Sequence, residues 1–197
     1  MKKLQLMFTC LLISTSIIAQ SDMKLPYDEI PAYPDKYTAE TVVARMIDGL
    51  GFRYYWATEG LRPEDLSFKP SAEARTTEET IDHIYGLTKV IVNAMAQMPN
   101  DRSVEEPEYS YEEKRKLTLN NLKKASDILM ASKEGSLKGY ILIFKSKNGQ
   151  SEYPFWNNIN GPIEDAVWHV GQVVTHRRSS GNPFNSKVSV FSGKLRD

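Results

Sequence analysis

The sequence predicts an all-α protein: a four-helix bundle with a small β-hairpin between the third and fourth helices. Three observations carry this. Apolar residues recur at steps of three and four through four long segments, two of those segments open on capping boxes, and only around the Asn148-Gly149 pair does the pattern turn to extended-type residues. No internal repeat interrupts this order, and 197 residues that are 41% apolar suffice for one buried core.

The chain opens on Lys2 and Lys3, an apolar run from about Leu4 to Ala19, and a small, polar exit at Ala19, Gln20 and Ser21. That order and length are those of a secretory signal peptide, over residues 1–20, so the expected location is secreted or periplasmic. Thr9, Ser14, Thr15 and Ser16 break the run, which is shorter than the roughly 20 apolar residues of a bilayer span. No stable membrane insertion is expected after cleavage. Cleavage also removes Cys10, the single cysteine, which excludes a disulfide scaffold, a thiolate zinc site and a cysteine nucleophile from the mature chain. With 25 basic and 25 acidic residues and no basic stripe, the chain lacks the electrostatic footprint of a nucleic-acid partner.

Residues 21–37 carry Pro26, Pro31 and Pro34 and are expected to form an extended arm. The bundle domain is expected over residues 38–197. Its first helix runs from about Thr38 to Leu61 on a stripe of Val43, Met46, Ile47, Leu50, Tyr54, Ala57 and Leu61. Gly49 and Gly51 each cost about 1 kcal/mol relative to alanine in a helix interior, so packing and the close approach of a neighbour must hold this helix.

The second helix starts at the capping box Thr76 and Glu79 and continues through Ile81, Ile84, Leu87, Thr88, Ile91, Met95 and Met98 until Pro99. The third starts at Ser110 and Glu113 and runs to about Ser132 through Tyr111, Leu119, Leu122, Ala125 and Leu129. The hairpin follows between Gly139 and Trp156. Asn160, Gly161 and Pro162 then introduce the fourth helix, with proline in its first turn, and it ends near Arg178.

On a wheel at 100 degrees per residue, Ile163, Ala166, Val167, Val170, Val173 and Val174 of the fourth helix share a core-facing arc. Asp165, His169, Gln172 and His176 share the opposite one, with Trp168 at its border. Two readings of that polar arc stay open: a solvated face, or part of a metal site. Asp165 and His169 stand one turn apart, close enough to reach one ion. A histidine from a facing helix would complete a two-histidine, one-carboxylate set. His83 sits on the edge of the apolar face of its helix, either as a partly buried neutral histidine or as that third ligand. His176 lies about 10 Å further along the axis than His169, too far to share an ion. With Arg177 and Arg178 it reads as positive charge at a helix C-terminus.

The segments TTEETIDHIYGLTKVIVNA, GFRYYWATEGL and above all DAVWHVGQVVTHRRSSGNP resemble the DinB/YfiT-like metalloenzyme superfamily, in particular its exported branch, over roughly residues 38–183. The resemblance implies a four-helix bundle holding a divalent ion such as nickel, zinc or iron. In that family three histidines hold the ion, one from the second helix and an HxxxH pair from the last. It carries ligand roles to His83 and His169, while Asp165 stands where the family has its remaining histidine. It further implies a metal-activated thiol or water acting in transfer or hydrolysis on a small-molecule substrate. Phe52, Trp56 and Glu59 share one arc of the first helix, with Trp168 across from them. They read either as filler or as the wall of a pocket beside the ion, with Glu59 as a catalytic acid or base. The competing class is a non-catalytic exported bundle with a degenerate metal site, which binds a ligand or forms a homodimer through a helix face.

Overall fold

The computed structural model describes residues 24–197, and the signal peptide expected over residues 1–20 lies outside them. The protein is mostly helical with two small sheets. Helix α1 spans Ala39–Thr58, α2 Pro63–Ser67, α3 Thr77–Met95 and α4 Tyr111–Met130. Strand β1 (Asn100–Asp101) pairs in parallel with β2 (Leu142–Ser146), which pairs antiparallel with β3 (Gly149–Tyr153). A helical run follows, made of α5 (Trp156–Asn158), a widened π turn (Ile159–Ile163) and α6 (Glu164–Ser179). A terminal hairpin of β4 (Val188–Ser189) and β5 (Lys194–Leu195) closes the chain.

Four of these helices are long, and α1 and α3 each pack against both α4 and α6. The apolar stripes meet inside that ring: Ile47, Leu50 and Tyr54 of α1, Ile81, Ile84 and Ile91 of α3, Leu119, Leu122 and Leu129 of α4, and Val170 and Val173 of α6 are all buried. Both expected capping boxes are present. Thr76 Oγ1 accepts from the Glu79 N–H at 3.1 Å while Glu79 Oε2 accepts from the Thr76 N–H at 2.7 Å. The Ser110 and Glu113 pair repeats this at 3.2 and 2.8 Å. Each box satisfies amide donors that the first helical turn leaves orphaned.

The arm lies along α1. Tyr27 is buried and its hydroxyl donates to Asp48 Oδ1 at 3.0 Å, Trp56 Nε1 donates to the Asp28 carbonyl at 3.1 Å, and Arg45 donates to the Pro31 carbonyl at 2.7 Å. The neighbour that Gly51 admits is the Tyr27 ring, which occupies the space a Cβ at Gly51 would need.

Four boundaries differ from the sequence expectation. Helix α1 stops at Thr58 rather than Leu61, because Gly60 turns left-handed at φ +66° and Arg177 takes the carbonyls of Trp56, Ala57 and Glu59. Met98 falls beyond α3 and is exposed. The hairpin turn is made by Lys147 and Asn148, with Ser146 opposite Gly149. The last helical run begins at Trp156, so Pro162 lies inside it instead of in a first turn. Proline offers no N–H and crowds the carbonyl four residues back, and a wide turn relieves both problems.

Candidate metal centre

The π turn ends at Ile163, two residues before Asp165, and so sets the rotation at which α6 meets α3. The two helices run antiparallel: His176, near the end of α6, contacts Thr77 at the start of α3. Six residues on from Thr77, and seven and eleven residues back from His176, the pairing brings His83 of α3 against His169 and Asp165 of α6. His83 Nε2 lies 3.1 Å from Asp165 Oδ2, and His169 Nε2 lies 3.2 Å from Asp165 Oδ1. The imidazole rings stand perpendicular with centroids 4.6 Å apart. One ligand atom from each of the three residues falls within 4.8 Å of the others, so the group could hold a metal ion.

The donor set fits such an ion. Atoms that share one ion at about 2.0–2.2 Å stand about 2.8–3.6 Å apart along its coordination edges, from octahedral to tetrahedral, a range that contains the two carboxylate-to-imidazole separations. A neutral imidazole nitrogen that lacks a proton and a carboxylate oxygen repel at such distances, so a proton or a cation must lie between them. For His169 the other ring nitrogen is engaged: Nδ1 is 2.9 Å from Gln172 Oε1. With Nδ1 donating there, Nε2 presents its lone pair to the group, the second-layer support expected of a ligating histidine. The three side chains are neither sealed nor flooded: His83 and Asp165 are each 34% exposed and His169 14%. Trp168 stacks on His169 with its centroid 6.5 Å away, and is itself 73% exposed.

A cleft of about 420 Å³ opens beside His83 between α3 and the β1–β2 edge, with Leu87 and Phe144, the bases Lys89 and Arg102, and the acids Asp82, Asp101 and Glu106 on its walls. Its size is within the roughly 300–1,000 Å³ of small-molecule sites.

Of the residues singled out in the sequence, His83, Asp165 and His169 come together and the others do not. Glu59 caps the end of α1 and its carboxylate pairs with Arg115 of α4 at 2.5 Å. Phe52 is fully buried, Trp56 faces the arm, and Trp168 points to solvent on the other side, so the aromatic wall expected across from Trp168 does not form. His176 and Arg177 are not an exposed cationic end. Both are buried, and the Arg177 guanidinium donates to three carbonyls at the end of α1 and to Asn182.

Gln172 gained no role from the sequence, although its place three residues after His169 on one helix face was the available signal. Asp65 was missed altogether. It is fully buried and accepts from Arg62, Ser180 Oγ and Asn182 Nδ2, tying the start of α2 to the end of α6.

A scan against protein-family models, a search of curated proteins and a search of solved structures each return no match for this chain.

Proposed function

We propose that this chain is an exported, DinB-like metal-dependent enzyme: a four-helix bundle that holds a divalent cation, nickel, zinc or iron, at His83, Asp165 and His169. It would act on a small molecule, by transfer to a thiol or by hydrolysis. One observation carries the reading. Two imidazoles borne on separate helices converge on the two oxygens of one carboxylate, at 3.1 and 3.2 Å, with separations suited to a shared ion.

The ion would supply Lewis-acid polarisation of a nucleophile or substrate at that point. The chain's own residues would do the rest. Gln172 orients His169 through its Nδ1, keeping Nε2 directed at the group. Three protein ligands leave further positions open, as a catalytic rather than a structural site requires. Partial exposure of His83 and Asp165 gives a substrate access from the α3 side, where the cleft lies. Its walls mix Lys89 and Arg102 with Asp82, Asp101 and Glu106, and Lys89 pairs with Glu106, so they suit a polar substrate without selecting a charge. Glu59 takes no part in this reading, since Arg115 holds its carboxylate.

Metal analysis of protein purified without an affinity tag tests the proposal. Near-stoichiometric nickel, zinc or iron is expected in the wild type, with at least a tenfold loss of affinity in His83→Ala and in His169→Ala and a smaller loss in Gln172→Ala. Wild-type protein that takes up none of the three ions at neutral pH would sink the enzyme reading and leave a ligand-binding module.

A further inference from the structure

Helix α6 has a second concave face. At 100 degrees per residue, Val170, Gly171 and Val174 point away from Asp165 and His169. There α1, α6 and the segment leading into β4 enclose a cleft of about 340 Å³. Trp56, Val170, Val174 and Phe184 supply apolar walls, and Arg53 and Arg178 add two guanidinium groups. No acidic side chain lines it.

Among the described residues nothing neutralises the charge on those arginines. Arg53 donates to the Gly49 carbonyl of its own helix at 2.9 Å, and Arg178 lies over the Phe184 ring, 5.4 Å from its centroid. Among the described residues neither forms an ion pair, unlike Arg62 and Arg115, whose guanidiniums meet carboxylates. The Trp56 indole N–H is already satisfied by the Asp28 carbonyl, which leaves the indole ring as an apolar surface. Above Gly171 there is open space, with nothing within 4 Å of a Cβ built there.

We propose that this cleft binds a medium-chain aliphatic carboxylate, the chain lying against Trp56, Val170, Val174 and Phe184 and the carboxylate meeting Arg53 and Arg178. Guanidinium forks pair bidentately with carboxylates, and apolar walls gain from burying a hydrocarbon chain. The volume is at the low end of the roughly 300–1,000 Å³ of ligand pockets, which limits the chain length. The site is separate from the metal centre and stands whether or not that centre binds an ion.

The test uses the protein with Trp156→Phe and Trp168→Phe, so that Trp56 is its sole tryptophan. Decanoate, decanol and acetate, each below any micelle-forming concentration, are titrated against Trp56 fluorescence. Decanoate is expected to give a saturable change, decanol to bind at least tenfold more weakly, and acetate to give none. Gly171→Leu fills the open space on a helix that gains in propensity, so it is expected to abolish binding while the thermal midpoint is kept. Arg53→Gln with Arg178→Gln is expected to reduce decanoate to the affinity of decanol. Equal binding of decanoate and decanol, no saturable change with decanoate, or unaltered binding in a folded Gly171→Leu protein would each overturn the proposal.

Discussion

Burial pushes the His176 imidazole below the usual histidine range: the ring sits between the Thr77 hydroxyl, 3.2 Å from Nδ1, and the Phe68 ring, where the charged form is poorly solvated. The unfolded chain titrates this group near pH 6.5. Between that value and the lower folded one, the unfolded state binds more protons, so stability rises with pH and falls as the solution is acidified below about 6.5. His176→Gln keeps a partner for Thr77 but has no proton to gain. Its urea midpoint is expected to fall less than that of the wild type between pH 7.5 and 5.5, and parallel declines would assign the pH dependence elsewhere. Asp65 has the same sign in a different window. Arg62 first, then Ser180 and Asn182, hold its carboxyl well below the usual carboxylate range, so its contribution is present above about pH 4 and is lost on further acidification. Neither role was legible in the sequence. Apart from Arg62, three residues before Asp65, the partners of His176 and Asp65 come from across the chain, and a helical wheel reports only neighbours on the same helix.

Elements were legible where one local rule decided them. Thr76 with Glu79 and Ser110 with Glu113 mark helix starts by chemistry contained in four residues, and the structure starts α3 and α4 there. Strand β1, of two residues, has no periodicity to detect, and the π turn around Pro162 follows from a helical run that starts earlier, at Trp156, than the apolar pattern marks. Gly51 lies between these cases, since its cost within α1 announces a neighbour without naming it. The neighbour is Tyr27, and this reverses an ordinary rule. Alanine in place of glycine in a helix interior normally stabilises by about 1 kcal/mol. Here the added methyl collides with a buried ring whose hydroxyl is tied to Asp48, so Gly51→Ala is expected to destabilise by about 1–3 kcal/mol, as overpacking does. In a Tyr27→Ala background the collision is gone and the same substitution is expected to stabilise. Denaturant melts of the four proteins in this cycle check the change of sign, and a stabilising Gly51→Ala in the presence of Tyr27 would show that the arm leaves α1.

Across the whole molecule, the ends of α1, α3 and α6 are already fastened by Arg177, Asp65 and the His176–Thr77 contact, while further along the α3–α6 seam the His83–Asp165–His169 group is a polar link. The candidate ligand residues were legible in the sequence as types and spacing. Their convergence was not, because it depends on the register of α3 against α6. An ion held by both helices, as proposed, would bind the folded state alone, since the unfolded chain does not bring residues 83 and 165–169 together. At a free concentration one hundred times its dissociation constant, it adds about 2.7 kcal/mol to stability. For a chain of this size each kcal/mol moves the thermal midpoint by about 2–4 °C, so a rise of about 5–11 °C is expected with saturating zinc or nickel. His83→Ala and His169→Ala remove partly exposed side chains rather than core, so their metal-free midpoints are expected within a few degrees of the wild type while the rise disappears. Thermal scans of the three proteins with chelator and with metal separate the possibilities. A wild-type shift that both variants retain would place the ion elsewhere on the surface, whereas its loss in both variants ties uptake to the two imidazoles that stand together on α3 and α6.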